Sequence, residues 1–148
     1  MRLPLLSLCV AAVAALSSSA CKEPTGAGVL DVLAHRAVWD THALTDYSYQ
    51  YELTGFYINY AGHPIRLNVR RDTVQSAVFV ATGLPVPGSQ AAFPTIDALF
   101  DQAEAAALGH SLNAVVYDPR LGFPIRMDLA GPPDASGSVL ASDLQPLP

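Results

Sequence analysis

The stretch YSYQYELT, Tyr47 to Thr54, alternates at a period of two. Tyr47, Tyr49, Tyr51, Leu53 and, further on, Tyr57 share one face, while Ser48, Gln50, Glu52 and Thr54 share the other. Successive strand side chains point to opposite sides, so this is a strand with one aromatic and one polar face. The opposite face is wholly polar, which makes the tyrosine row the face to be buried. It reads as a core layer beneath a helix in preference to an exposed aromatic platform. A half-buried strand of this kind implies an antiparallel sheet covered on one face only.

The rest of the chain supplies the cover and the remaining strands. Leu30, Leu33, Ala34, Ala37, Val38 and Thr41 recur at helical spacing, with Trp39 flanking, and predict a first helix that lays this stripe on the sheet. GHPIRLNVRRDTVQSAVFV continues as two strands, with Ile65, Leu67 and Val69 alternating against Arg66, Asn68 and Arg70, and with Arg71-Asp72 at the hairpin turn. A loop marked by Pro85, Pro87, Gly88 and Ser89 leads to a second helix, IDALFDQAEAAAL. Thr95 is its expected N-cap, Asp97 suits the positive end of its dipole, and Gly109 is its expected stop. Leu112 to Tyr117 and Ile125 to Leu129 form a strand pair around DPRLGFP, and Val139 to Leu144 is expected to close the sheet. The fold class is α+β, a mainly antiparallel sheet packed with two helices in the order helix, three strands, helix, two or three strands.

The N-terminus carries an address. Arg2 followed by the apolar run Leu3 to Leu16 and the small residues Ser17 to Ala20 reads as a secretory signal peptide. The run is shorter than the roughly 20 apolar residues of a membrane span. Residues 1–20 are therefore assigned to the signal, 21–28 to a flexible tether and 29–148 to one α+β domain. Two cleavage readings stand at the Ala20–Cys21 junction. One is ordinary cleavage, giving a soluble secreted or periplasmic protein. The other, which we favour, is lipidation: the segment resembles a lipobox, in which small residues precede a cysteine whose thiol receives diacylglycerol. Here Ser18 stands at the place where lipoboxes carry leucine, and Leu16 lies five before the cysteine.

Cysteine usage supports the second reading. The chain has two cysteines, and Cys9 leaves with the signal, so Cys21 has no partner in an oxidising compartment. Lipidation removes that reactive thiol, and Lys22 to Gly28 is polar with Pro and Gly, as a tether would be. Lys22 in place of Asp after the cysteine points to the periplasmic side of the outer membrane if the cell is diderm. The expected partner is thus the membrane, through a lipid on Cys21. About 128 residues remain, enough to bury a core without disulfides. The formal net charge of −5 makes nucleic acid and anionic headgroups poor partners.

Trp39, YSYQY, the strand hairpin, TIDALFDQAEAA, VVYDPRLGFPIRMDL and a closing VLASDLQP together resemble the bacterial DUF6174 family of exported small proteins, many of them lipoproteins. The resemblance implies a fold and no catalytic residue, since it brings no known function with it. Members often carry a C-x-C-like cysteine pair after the first aromatic strand. TGFYINY has none here, so a redox or disulfide role tied to those thiols does not carry over.

Chemistry-bearing patterns are few. The sequence has no P-loop, G-x-G-x-x-G, G-x-S-x-G or H-E-x-x-H. His35 and His42 stand two helical turns, about 10 Å, apart, His63 occupies a Gly-His-Pro turn, and His110 follows a helix end. No metal, cofactor or catalytic residue is assigned, and the chain is read as non-enzymatic. Asp118, before Pro119, is expected to bond backbone in an Asx-type turn, and Asp128 to point outward from its strand. Arg66, Arg70 and Arg126 form either a basic stripe for an anionic ligand or an ion-paired sheet face. The expected function is a lipid-anchored envelope binding or interaction module with an unknown envelope protein as partner. The alternatives are an inhibitor of an envelope or extracellular enzyme, using the surface loop Asp118, Pro119, Arg120, Leu121 and Gly122, and an enzyme with an unrecognised site.

Overall fold

The computed structural model describes residues 28–55, 60–88, 90–131 and 136–148. The signal, the Ala20–Cys21 junction, most of the tether and Tyr57 lie outside the described residues. The chain runs α1 (Val29–Asp40), β1 (Tyr47–Gly55), β2 (Ile65–Arg70), β3 (Thr73–Phe79), a 3-10 turn (Gln90–Ala92), α2 (Ile96–Leu108), β4 (Leu112–Tyr117), β5 (Pro124–Leu129) and β6 (Gly137–Pro146). The six strands make one antiparallel sheet in the order β3-β2-β1-β6-β5-β4. This is the α+β architecture expected from the sequence.

The alternation in β1 becomes the core. Tyr47, Tyr49 and Tyr51 are buried together with Ile65, Leu67 and Val69 of β2 and Met127, Val139 and Ala141 of β5 and β6. α2 lays Ile96, Leu99, Phe100 and Ala103 on that layer. Two tyrosine hydroxyls then fix where α2 begins. Tyr49 donates to the carbonyl of Pro94, and the Tyr47 hydroxyl accepts the N–H of Ile96 at 2.9 Å. A helix start leaves N–H groups without partners. Tyr47 satisfies one of them and Thr95, the N-cap, accepts the N–H of Ala98 at 3.2 Å. Burial pushes the hydroxyls of Tyr47 and Tyr49 well above the ordinary tyrosine range, so both stay protonated.

The β2–β3 hairpin closes as anticipated on Arg71 and Asp72, both in the left-handed region (φ 50° and 56°), which is the backbone of a tight I′-like turn. Asp46 holds that turn against the start of β1: its carboxylate accepts the N–H of Arg71 at 2.7 Å and is held below the ordinary range, chiefly by that bond. α2 ends at Gly109, and it is His110 that takes the left-handed conformation after it (φ 55°).

One expectation is corrected. The face that α1 buries carries Val32 and Trp39, with His35 and Arg36 half-buried beside them, whereas Leu30, Leu33, Ala34, Ala37, Val38 and Thr41 are exposed. Periodicity fitted both stripes, and the large ring of Trp39 decided between them. It packs edge-on against Tyr47 (5.6 Å between centroids) and Phe123 (6.1 Å), aromatic contacts that the aliphatic side chains of the other stripe cannot make. The last strand, β6, does complete the sheet, and it does so from within. It lies in the middle, joining β1–β3 to β4–β5 into one layer.

Removing either hydroxyl leaves a buried or part-buried backbone group unpaired, which costs about 1–3 kcal/mol. Tyr47→Phe and Tyr49→Phe are each expected to lower the unfolding free energy in urea by that amount, with the denaturant slope unchanged. Losses below about 0.5 kcal/mol for both would show that the hydroxyls do not hold the helix start.

Candidate functional site

Both helices cover the tyrosine side of the sheet, and no described element covers the other side. On it lies a groove of about 660 Å³ at the junction of the two half-sheets. Leu140 and Leu144 of β6 and Ile125 of β5 give it apolar surface, Gln50 and Glu52 of β1 border it, and Arg120 and Leu121 belong to the loop before β5.

The groove is shaped by a bulge. Ser48 pairs with Gln145 and Gln50 with Ser142, so Tyr49 alone stands opposite both Asp143 and Leu144. Asp143 takes the left-handed conformation (φ 51°), which aspartate tolerates better than most residues. Its carboxylate is bound by the guanidinium of Arg66 and accepts from Gln50 at 3.2 Å and Gln145 at 3.3 Å. Arg66 also donates to the Asp143 carbonyl at 3.0 Å, so one side chain from β2 grips the bulge across β1. These bonds, with Arg66 foremost, hold the Asp143 carboxyl below the ordinary range.

The loop Asp118–Gly122 forms one rim. Asp118 makes the Asx-type turn expected of it: Oδ1 accepts the N–H groups of Arg120 at 2.9 Å and Leu121 at 2.7 Å. Gly122 (φ +80°) sits so close to α1 that a Cβ there would meet the carbonyl oxygen of His35 at 2.8 Å. The loop is therefore folded back on α1, with Pro119 and Arg120 exposed and Leu121 half-buried. It is a braced rim, not a free hairpin.

The arginines resolve in favour of ion pairs. Arg66 pairs with Asp143, Arg70 with Asp46 at 3.3 Å and Arg126 with Asp128 at 2.8 Å. Asp128 does point outward; it also accepts from Ser138 at 2.6 Å, and Arg126 and then Ser138 hold it below the ordinary range. Arg120, by contrast, makes no ion pair among the described residues, nor does Glu52 across the groove.

The histidines lie apart from the groove. His35 stacks on Tyr117 (3.7 Å between centroids, planes 5° apart), which stacks in turn on Phe100, and His63 meets the edge of Phe79. Among the described residues no group of three or more His, Cys, Asp or Glu could hold a metal ion, and no helix is long and apolar enough to cross a membrane. Chemically, the groove offers apolar area, amide donors and acceptors, and one unpaired charge of each sign. Its other two carboxylates are occupied, Asp118 by backbone N–H groups and Asp143 by Arg66. The Asp143–Arg66 grip was missed in the sequence; its only signal was an aspartate interrupting the strand pattern VLASDLQP.

A two-helix α+β domain with one open sheet face and a braced groove is the class this architecture defines. The chain belongs to the DUF6174 family, a family of unknown function, whose model matches residues 31–137. The match enters two residues into α1 and stops at the first residue of β6, so Leu140, Asp143 and Leu144 of the groove lie beyond it. No curated protein and no solved structure matches the chain.

A carboxyl lowered by its partner contributes stability that is complete above the ordinary carboxylate pKa and is lost as the pH falls through the lowered value. Arg66→Ala is expected to raise the Asp143 midpoint, read from carbon-detected NMR titration, towards the ordinary value, and to begin acid unfolding at a higher pH. An unmoved midpoint would remove Arg66 as the cause.

Proposed function

We propose that this protein is an exported binding module, held to the cell envelope by a lipid on Cys21, that receives an envelope protein in the groove of its open sheet face. The observation that supports the binding reading most is that groove. Protein interfaces combine an apolar centre with a polar rim. Here Leu140, Leu144 and Ile125 supply the first, and the Asp143–Arg66 grip and the Asp118 turn fix the second. The guanidinium of Arg120 and the carboxylate of Glu52, without ion pairs among the described residues, favour an extended polypeptide segment that carries charges of both signs beside an apolar side chain.

Lipid attachment rests on the sequence of the leader and on the solitary Cys21. In a diderm cell the place is the periplasmic side of the outer membrane. The test is the intact mass of the mature protein extracted from membranes, beside a Cys21→Ser variant followed through fractionation. The expected result is a mass raised by diacylglycerol and acyl groups, lost in the variant together with membrane association. An unmodified chain beginning at Cys21 in the soluble fraction would remove the anchor from the proposal.

A further inference from the structure

The outward face of α1 is an exposed apolar stripe, touched at its Val38 margin by the loop at Gly122. Leu30, Leu33 and Val38 are 82%, 42% and 44% exposed, and Ala34, Ala37 and Thr41 are exposed between them. At 100° per residue these six side chains span one continuous uncharged arc, bordered by Asp31 on one side and Asp40 on the other, and opposite Val32 and Trp39. Soluble surfaces carry scattered apolar residues, but a contiguous arc along a whole helix marks a contact.

We infer that this face rests on the surface of a phospholipid bilayer and so orients the domain, an inference that builds on the proposed lipid at Cys21. Val29, the first residue of α1, follows Cys21 by eight residues, a span of at most about 29 Å even when fully extended. The first element after the anchor is thus confined near the bilayer, with its uncharged face available to it. The stripe holds small and aliphatic side chains and no charge, so it can meet the headgroup boundary without desolvating an ion. A second copy fits less well. A single helix of 12 residues, about 18 Å long, offers well under the ~800 Å² per partner of a stable dimer. The flanking Asp31 and Asp40 and the formal net charge of −5 select zwitterionic over anionic headgroups. In this pose the helix layer faces the membrane, and the groove, on the far side of the sheet, faces away from it towards a partner.

The test uses full-length chains expressed in a diderm bacterium, with mature protein purified and reconstituted in vesicles of phosphatidylethanolamine and brominated phosphatidylcholine. Protein recovered without a lipid is coupled at Cys21 to a maleimide lipid first, so the mass decides the anchor and the vesicles decide the face. Trp39 is the only native tryptophan and is buried; Leu33→Trp adds one on the stripe and Gln75→Trp one at an exposed position of β3. Leu33→Trp is expected to lose about half its added emission to bromine, and Gln75→Trp almost none. Equal quenching of the two would overturn the inference. So would a concentration-dependent dimer of the Cys21→Ser protein that Leu30→Ser abolishes, which would give the face to a second copy. Far-ultraviolet circular dichroism confirms that each variant is folded before it is scored.

Discussion

The whole arrangement hangs on the aromatic face of β1. A strand that presents three tyrosines to one side can be buried only if their hydroxyls find partners, because an unpaired buried hydroxyl costs free energy comparable to a lost hydrogen bond. Tyr49 and Tyr47 find them at Pro94 and Ile96, where the loop becomes α2. The same two bonds therefore satisfy the strand and place the helix. Once α2 is placed, Phe100 stacks on Tyr117 of β4 and Arg36 of α1 pairs with Asp101 at 2.7 Å while lying over the Phe100 ring. Apolar burial drives the assembly, and the hydroxyls decide its register.

The second constraint is the position of β6. Because the last strand enters between β1 and β5, the two meanders become a single sheet, and the joint between them is the floor of the groove. A regular joint would be flat. The extra residue at Asp143 and Leu144 bends it, and Arg66 reaches over from β2 to stabilise an aspartate in a conformation that carries strain. The other rim is braced by Asp118 and by the close approach of Gly122 to α1. α1 thus touches the groove indirectly: it supports the loop that bounds it.

Much of the fold was legible because it follows from local patterns. The period-two strands, the Arg71-Asp72 turn, the Thr95 cap and the Asp118 turn all depend on a few consecutive residues, and each stands as read. What was not legible depends on residues far apart in the chain. The burial of α1 turned on the contact of Trp39 with Tyr47 and Phe123, which no periodicity contains, and two stripes fitted the same helix. The central place of β6 is a pairing between residues some ninety positions apart, Gln50 with Ser142 for example. The candidate site inherits that difficulty. Asp118 to Gly122 could be marked from their own sequence, whereas Asp143 acquires meaning only beside Arg66 and Gln50.

The proposed function gives the open groove, and not the helix layer, a polypeptide partner in the envelope. A photoreactive amino acid placed in living cells at Arg120 or Gln145, on the groove, and at Gln102, exposed on α2, tests this most directly. The prediction is one discrete crosslinked species from both groove positions, none from Gln102, and its loss when Arg66→Ala releases the bulge. Crosslinks from Gln102 alone, or none at any position, would contradict it.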